Sequence, residues 1–363
     1  MSHAFPFPCM PRWRAFLGLL IAVVLAALPA PSRAQSNPFA PGWDLDLAQS
    51  NLKFQSIKNT TKVESSSFAK FSGAIEPDGA ATVHVHLDSV DTLVDLRNVR
   101  MRFLFFETFK YPEATITLQL TPDIVADLPA VRRKTLNIDY VFDLHGVQKP
   151  MQSPITLTLL GDDLVSIASA APISIGAADF ELADNITKLE QAVGGVVIVP
   201  SATVTFDFVF ARRGSALAPP PALSVPEPTT VALETRGDFD AEACIGRFEV
   251  LSRTGNIYFR TASARLDPDS FALLGSVVDI VRRCPTLKVV ISGYTDSDGS
   301  DQTNQALSDA RARSVVGYLV DHGIPPDRLR AVGYGEARPV APNDTAHNKS
   351  LNRRIEFAAD SSG

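Results

Sequence analysis

Cysteine, tryptophan and long apolar runs are what this chain has least of. Its 363 residues include 3 cysteines and 2 tryptophans, and the formal net charge is −6. Two cysteines lie beyond the N-terminal segment, which leaves room for a single disulfide. An acidic balance argues against nucleic acid or an anionic membrane as the main partner. No internal repeat is visible, and low complexity is confined to one linker. The chain also lacks a nucleophile–base arrangement, a glycine-rich phosphate loop followed by a basic residue, and paired carboxylates in a convincing context. A non-catalytic protein is therefore the leading expectation. An enzyme is the weaker alternative.

What is present begins with an export signal. Arg12 and Arg14 precede an apolar stretch at 15–28, and Ser32-Arg33-Ala34 offers small residues where a signal peptidase cuts. The stretch is too short for a comfortable membrane span, with an uncleaved anchor as the alternative. Residues 1–34 are thus expected to be a signal peptide. Cys9 lies before the apolar stretch, so Cys244 and Cys284 remain, and an even pair in an exported protein suggests one disulfide.

Residues 37–213 read as strand-rich, with alternating runs at 45–54, 68–75, 81–87, 115–120, 135–144, 155–160 and 203–210. Turn signals such as Glu76-Pro77-Asp78-Gly79 separate them. Short strands at this spacing suggest an antiparallel sandwich or barrel, and closure into a barrel removes exposed edges. His84 and His86 share one side of a strand, but with no cysteine nearby a metal site is not expected. Residues 180–195 suit a loop or short helix capping the barrel.

Between two of these strands sits VDLRNVRMRFLFFETFKYPEA, with aromatic residues Phe103, Phe105, Phe106, Phe109 and Tyr111. Asp95, Arg97 and Asn98, then Phe105, Phe106, Lys110, Tyr111 and Pro112, and later Gly146-Val147-Gln148-Lys149-Pro150, together resemble the YceI-like family. That resemblance implies a periplasmic, lipocalin-like antiparallel β-barrel that holds a polyprenyl or quinone-like lipid in an apolar tunnel. The five aromatic residues are then the candidate lipid contacts, unless they simply pack the core. Otherwise the barrel would be a scaffold or spacer that docks an envelope protein.

Residues 214–237 form a linker whose first part, GSALAPPPALSVPEPTT, is rich in proline and small residues. Residues 214–230, at ~3.1 Å each in polyproline-type extension, would reach ~50 Å, enough to hold the barrel away from an anchored second domain.

From 238 to 360 strands and helices alternate. A strand is expected at 257–259. A helix capped by Asp267, with Pro268 at its first position, would bury Phe271, Leu274, Val278 and Val281. Strand 288–292 leads through the polar turn 295–300 into a helix at 301–322, ended by Gly323 and Pro325-Pro326. Further strands are expected at 328–333 and 352–357, which makes an α/β sandwich of βαβ-type units. Asn304, Leu307, Arg311, Val315 and Tyr318 share one face of the long helix. Arg311 therefore needs a partner, and Asp296 is placed to face it. An Asp and an Arg at the mouth of a strand–turn–helix suit a zwitterion; an internal Asp296–Arg311 salt bridge is the alternative.

Thr295, Asp296 and Gly299, then Asn304, Leu307, Ser308, Arg311 and Ala312, then Gly333–Glu336 and Asn352-Arg353-Arg354 with Glu356, resemble the OmpA-like C-terminal domain. The resemblance implies non-covalent binding of the diaminopimelate in peptidoglycan stem peptides by Asp296 and Arg311. Thr295, Asn304, Leu307, Asn352 and Arg353 would border the pocket. The stretch Arg260-Thr261-Ala262-Ser263 lacks an Asp or Phe that often adds a contact in that family. Together the two resemblances imply a multidomain protein of the periplasm of a Gram-negative bacterium, associated with cell wall and outer membrane.

Overall fold

The computed structural model describes residues 37–215, 237–255 and 257–360. The expected signal segment and most of the expected linker lie outside them.

The first domain is an antiparallel barrel of eight staves, four of them interrupted. The first stave is β1 (Trp43–Leu45) and β2 (Asn51–Lys58). They are separated where the Asp46 side chain accepts from Ala48 N and inserts one helical turn. The second stave is β3 (Lys62–Phe68) and β4 (Phe71–Ile75), and the third β5 (Ala80–His86) and β6 (Val90–Asp91). β7 (Glu113–Gln119), β8 (Arg133–Leu144) and β9 (Val147–Gly161) follow uninterrupted. β10 (Leu164–Ser169) and β11 (Ile173–Gly176) share the seventh stave. β12 (Ile198–Arg212) pairs with β10 and β11 on one side and with β1 and β2 on the other, closing the ring.

Alternation decides what faces inward. Ala81, Val83 and Val85 of β5 are buried, while His84 and His86 face Glu113 at 3.3 and 3.2 Å. His145 pairs with Glu107 at 3.2 Å. Among the described residues no group of His, Cys, Asp and Glu is arranged to hold a metal.

After β6 the chain leaves the sheet as helix α1 (Asp95–Arg100), which continues into a π-helical turn at Met101–Phe105. Helix α2 (Ala183–Val193) packs beside it, where the sequence allowed either a loop or a short helix.

In the second domain α3 (Ala241–Ser252) is followed by α4 (Phe271–Arg282), β13 (Val289–Gly293) and α5 (Asp301–Asp321). Then come β14 (Leu329–Gly333), α6 (Ala346–Asn352) and β15 (Ile355–Ala359). β13 is central, parallel to β14 across the α5 connection and antiparallel to β15. Ser300 caps α5 by accepting from Thr303 N, and Ala312, Val315 and Leu319 bury its inner face. A disulfide joins Cys244 of α3 to Cys284, just past α4.

Three expectations are corrected here. Residues 257–259 form no strand; Phe259 makes only an isolated bridge to Leu266, because the chain turns back through Ala262 at φ 50°. Phe271 is not a core residue; it is exposed and stacks on Tyr318. Nor is the barrel held at a distance. Val99, Phe103, Leu104 and Leu189 of the barrel share one apolar core with Phe239, Cys244, Phe248 and Leu251 of the second domain. Left apart, Val99 and Leu104, which are 0% exposed, would face water. At the edge of this seam the buried Arg247 guanidinium donates to Asp95 at 2.6 Å and lies 3.7 Å from the Phe239 ring.

Candidate ligand sites

The C-terminal site is built where α5 crosses the ends of β13 and β14. The crossing is too close for side chains on either strand end. A Cβ on Gly293 would sit 2.4 Å from Ser308 O, and one on Gly333 would sit 2.4 Å from Asp309 N. With that contact made, Ser308 Oγ accepts from Gly335 N at 2.8 Å and Asp309 from Gly333 N at 2.6 Å. Thr295 N donates to Gly335 O at 2.8 Å, which locks the turn after β13 to the turn after β14. Asn304 Nδ2 donates to Glu336 at 2.7 Å and to the Asp296 carbonyl at 3.3 Å. Asn304 and Glu336 thus fix the turn rather than fill space.

Asp296 and Arg311 are both buried by this framework, but they do not bond to each other. Asp296 Oδ2 accepts from Arg353 Nη1 at 2.5 Å, and Oδ1 accepts from Asp298 N at 3.1 Å. Arg311 Nε donates to the Ser263 carbonyl at 3.1 Å, with the Phe259 ring 5.1 Å from its guanidinium carbon. Its two Nη groups make no hydrogen bond among the described residues. Burial, and then the like charge of Arg353, pull the Arg311 pKa below its ordinary value, while Asp296 acts against them. The arrangement is one carboxylate and one cation with unused donors, each anchored on its far side.

The other residues singled out from sequence divide. The Thr295 hydroxyl is buried without a protein partner among the described residues, and Leu307 is half-buried on α5. Asn352 is spent on structure: it accepts from Val340 N and Ala341 N and donates to Ala341 O and Asn343 Oδ1. That amide pins the loop before α6 and has nothing left for a ligand. Phe259, Ser263 and Glu336 were not among the candidates. Glu336 lies in a recognised motif, whereas Ser263 acts through its backbone, which side-chain identity does not reveal.

The second site is the barrel interior, an apolar cavity of about 610 Å³. This volume falls in the ~300–1,000 Å³ range of small-molecule pockets. It reaches from Trp43 and Arg212 at one end of β12 to Lys58 and Ile198 at the other. Of the five candidate aromatic residues, Phe105 and Phe106 line it and Phe103, Phe109 and Tyr111 do not. Phe103 stacks with Phe109 and packs in the seam between domains. Tyr111 lies on His145, with ring centroids 4.1 Å apart, against the turn at Gly146. A helical turn sends successive aromatic residues to different sides, so one cluster in sequence serves two surfaces. Asp95, Arg97 and Asn98 diverge likewise: Asp95 reaches Arg247, Arg97 donates to Glu64 at 3.0 Å, and Asn98 accepts from Thr92.

Comparison with known proteins follows the same division. Residues 43–210 match the YceI-like domain family and residues 258–353 the OmpA family. Outer membrane porin F of Pseudomonas aeruginosa is 37% identical over 118 residues, 32% of this chain and 34% of that protein. Peptidoglycan-binding protein ArfA of Mycobacterium tuberculosis is 39% identical over 106 residues, 29% of this chain and 32% of that protein. The chain thus spans about a third of the length of these relatives. A solved polyisoprenoid binding domain from Saccharophagus degradans is 31% identical, covering 47% of this chain and 98% of that one with a TM-score of 0.45.

Proposed function

We propose that this chain, with its YceI-like match at 43–210 and OmpA match at 258–353, is a non-catalytic envelope protein with two ligands. The C-terminal domain grips the diaminopimelate of peptidoglycan stem peptides, and the barrel holds a lipid-like molecule. The protein works in the periplasm of a Gram-negative cell, at the wall and outer membrane.

The observation that carries the reading is the separate anchoring of Asp296 and Arg311. Arg311 is held from behind by Ser263 O, which leaves its Nη groups for a ligand carboxylate. Asp296 accepts from the half-exposed Arg353, a partner that an α-ammonium can displace or join. A zwitterion satisfies both groups at once, and the hydroxyl of Thr295, next in sequence to Asp296, has no hydrogen-bond partner among the described residues. The name of the ArfA relative supports the same reading.

Pull-down on purified sacculi tests it. Asp296→Ala and Arg311→Ala should each abolish binding while the protein stays folded by circular dichroism. Retained binding in both variants would end the assignment.

A further inference from the structure

The π-helical turn at Met101–Phe105 belongs to two surfaces at once. Phe106 N donates to Met101 O at 2.8 Å, the longer reach that sets a π-turn apart from an α-helix. Such turns are rare and recur at functional sites. This one divides its side chains. Phe103 and Leu104 are buried in the apolar core shared with the second domain, while Met101 and Phe105 pack both against that core and against the barrel's own. Met101 and Phe105 also line the cavity, as do Leu189 of α2 and Ile198 at the start of β12, which pack in the same seam. Helix α3 of the second domain lies against α1 and the π-helical turn. The cavity wall here is therefore also the floor on which the second domain rests.

The same core reaches the C-terminal site. Phe259 and Leu266, bridged to each other, pack against it together with Phe109 of the barrel. Between them Ser263 holds Arg311 through its carbonyl at 3.1 Å, and the Phe259 ring lies 5.1 Å from the Arg311 guanidinium carbon. Tyr258, beside Phe259, stands within reach of barrel charges: burial and then the Glu107 carboxylate raise its pKa, and Lys110 opposes them. Glu107 and Lys110 follow closely on Phe105 and Phe106, which line the cavity. The support behind Arg311 and the wall of the cavity thus meet in one core.

We infer that occupancy of the barrel cavity and the grip on the stem peptide are coupled through this seam, a filled barrel strengthening peptide binding at Asp296 and Arg311. This rests on the two-ligand reading above and adds its regulation. The sign follows from packing. In a filled cavity Met101, Phe105, Leu189 and Ile198 have neighbours on both sides. In an empty one they lose those on the inner side and can turn into the void, because an unfilled space withholds its share of dispersion contacts. Turning inward withdraws them from the core that also carries Phe259 and Leu266, and so loosens the hairpin that holds Arg311. Coupling between two binding sites is reciprocal, so the peptide tightens the hold on the barrel ligand by the same factor.

The test titrates a stem peptide carrying meso-diaminopimelate into delipidated full-length protein, with and without saturating farnesol, whose loading is read by native mass spectrometry. Farnesol should tighten peptide binding about fivefold or more. Gly246 of α3 lies in neither site, and a Cβ there would already stand 3.0 Å from a Leu96 methyl of the barrel. Gly246→Leu therefore wedges the seam and should erase the gain while both ligands still bind. Leu96→Ala, which thins the same contact without a wedge, should reduce it. Equal peptide affinity with and without farnesol, or a gain unchanged in both variants, overturns the coupling and leaves the two ligand readings standing. Peptide that binds under neither condition overturns the wall reading and the coupling with it, and protein that loads no farnesol does the same for the barrel reading.

Discussion

Asp296 and Arg353 form the ion pair of the C-terminal site, at 2.5 Å, while Arg311 turns its Nε to Ser263 O. The internal Asp296–Arg311 bridge that the sequence allowed does not form. The two opposite charges act on one another without a bond between them.

On the proposed reading, Arg353 steadies Asp296 rather than carrying the ligand. Its side chain is 44% exposed, and exposed ion pairs are worth ~0.2–1 kcal/mol. Arg353→Ala should weaken sacculus binding by no more than about fivefold, against loss of binding in Asp296→Ala. Equilibrium pull-down at graded protein concentration separates the two.

The seam between domains should be cooperative. Asp95→Ala removes the 2.6 Å contact between the Asp95 carboxylate and the buried Arg247. Hydrogen bonds to charged groups are worth ~1.5–3 kcal/mol, and the partial exposure of Asp95 places the loss near the lower figure. Calorimetry should show the single melting transition broaden or split, the second domain melting first.

The Cys244–Cys284 bond closes a loop with a sequence separation of 40. Chain entropy assigns such a closure about 4 kcal/mol. The double Cys→Ser variant should lose close to that in denaturant titration, and reduction of the native protein should match it.

Tyr294 makes the second domain sensitive to alkali. Burial, reinforced by the Glu356 carboxylate that accepts its hydroxyl at 2.9 Å, raises its pKa to about 12. An acid whose folded pKa exceeds its unfolded value of about 10 favours the fold while neutral. That contribution is complete below pH 10 and is lost as pH rises toward 12. Tyr294→Phe, measured by chemical denaturation across this window, should show a shallower decline than the native chain.

Much of this architecture was legible in the residues because periodicity and caps agreed. In α5 the polar turn 295–300, the apolar spacing and Gly323 all mark one helix, and the structure gives Asp301–Asp321 and adds the Ser300 cap. Where packing is two-sided the signal fails. Helix α3 buries Cys244, Phe248 and Leu251 in its own domain while Gly246 meets Leu96 of the barrel, so no polar stripe betrays its period. β10 and β11 escaped notice because serine, alanine and glycine dilute their β-branched residues. At the candidate site Asp296 and Arg311 were readable from spacing and motif. The roles of Asn352 and Ser263 were not, since both depend on backbone groups that distant loops bring near.

The central claim is that Asp296 and Arg311 read the two charges of one zwitterion. Calorimetric titration of the full-length protein with a stem peptide ending its side chain in meso-diaminopimelate, beside the same peptide carrying lysine, tests it most directly. Lysine keeps the ammonium but lacks the carboxylate that Arg311 would hold. The diaminopimelate peptide should bind at least tenfold more tightly, and Arg311→Ala should erase the difference. Equal affinity for the two peptides would contradict the account.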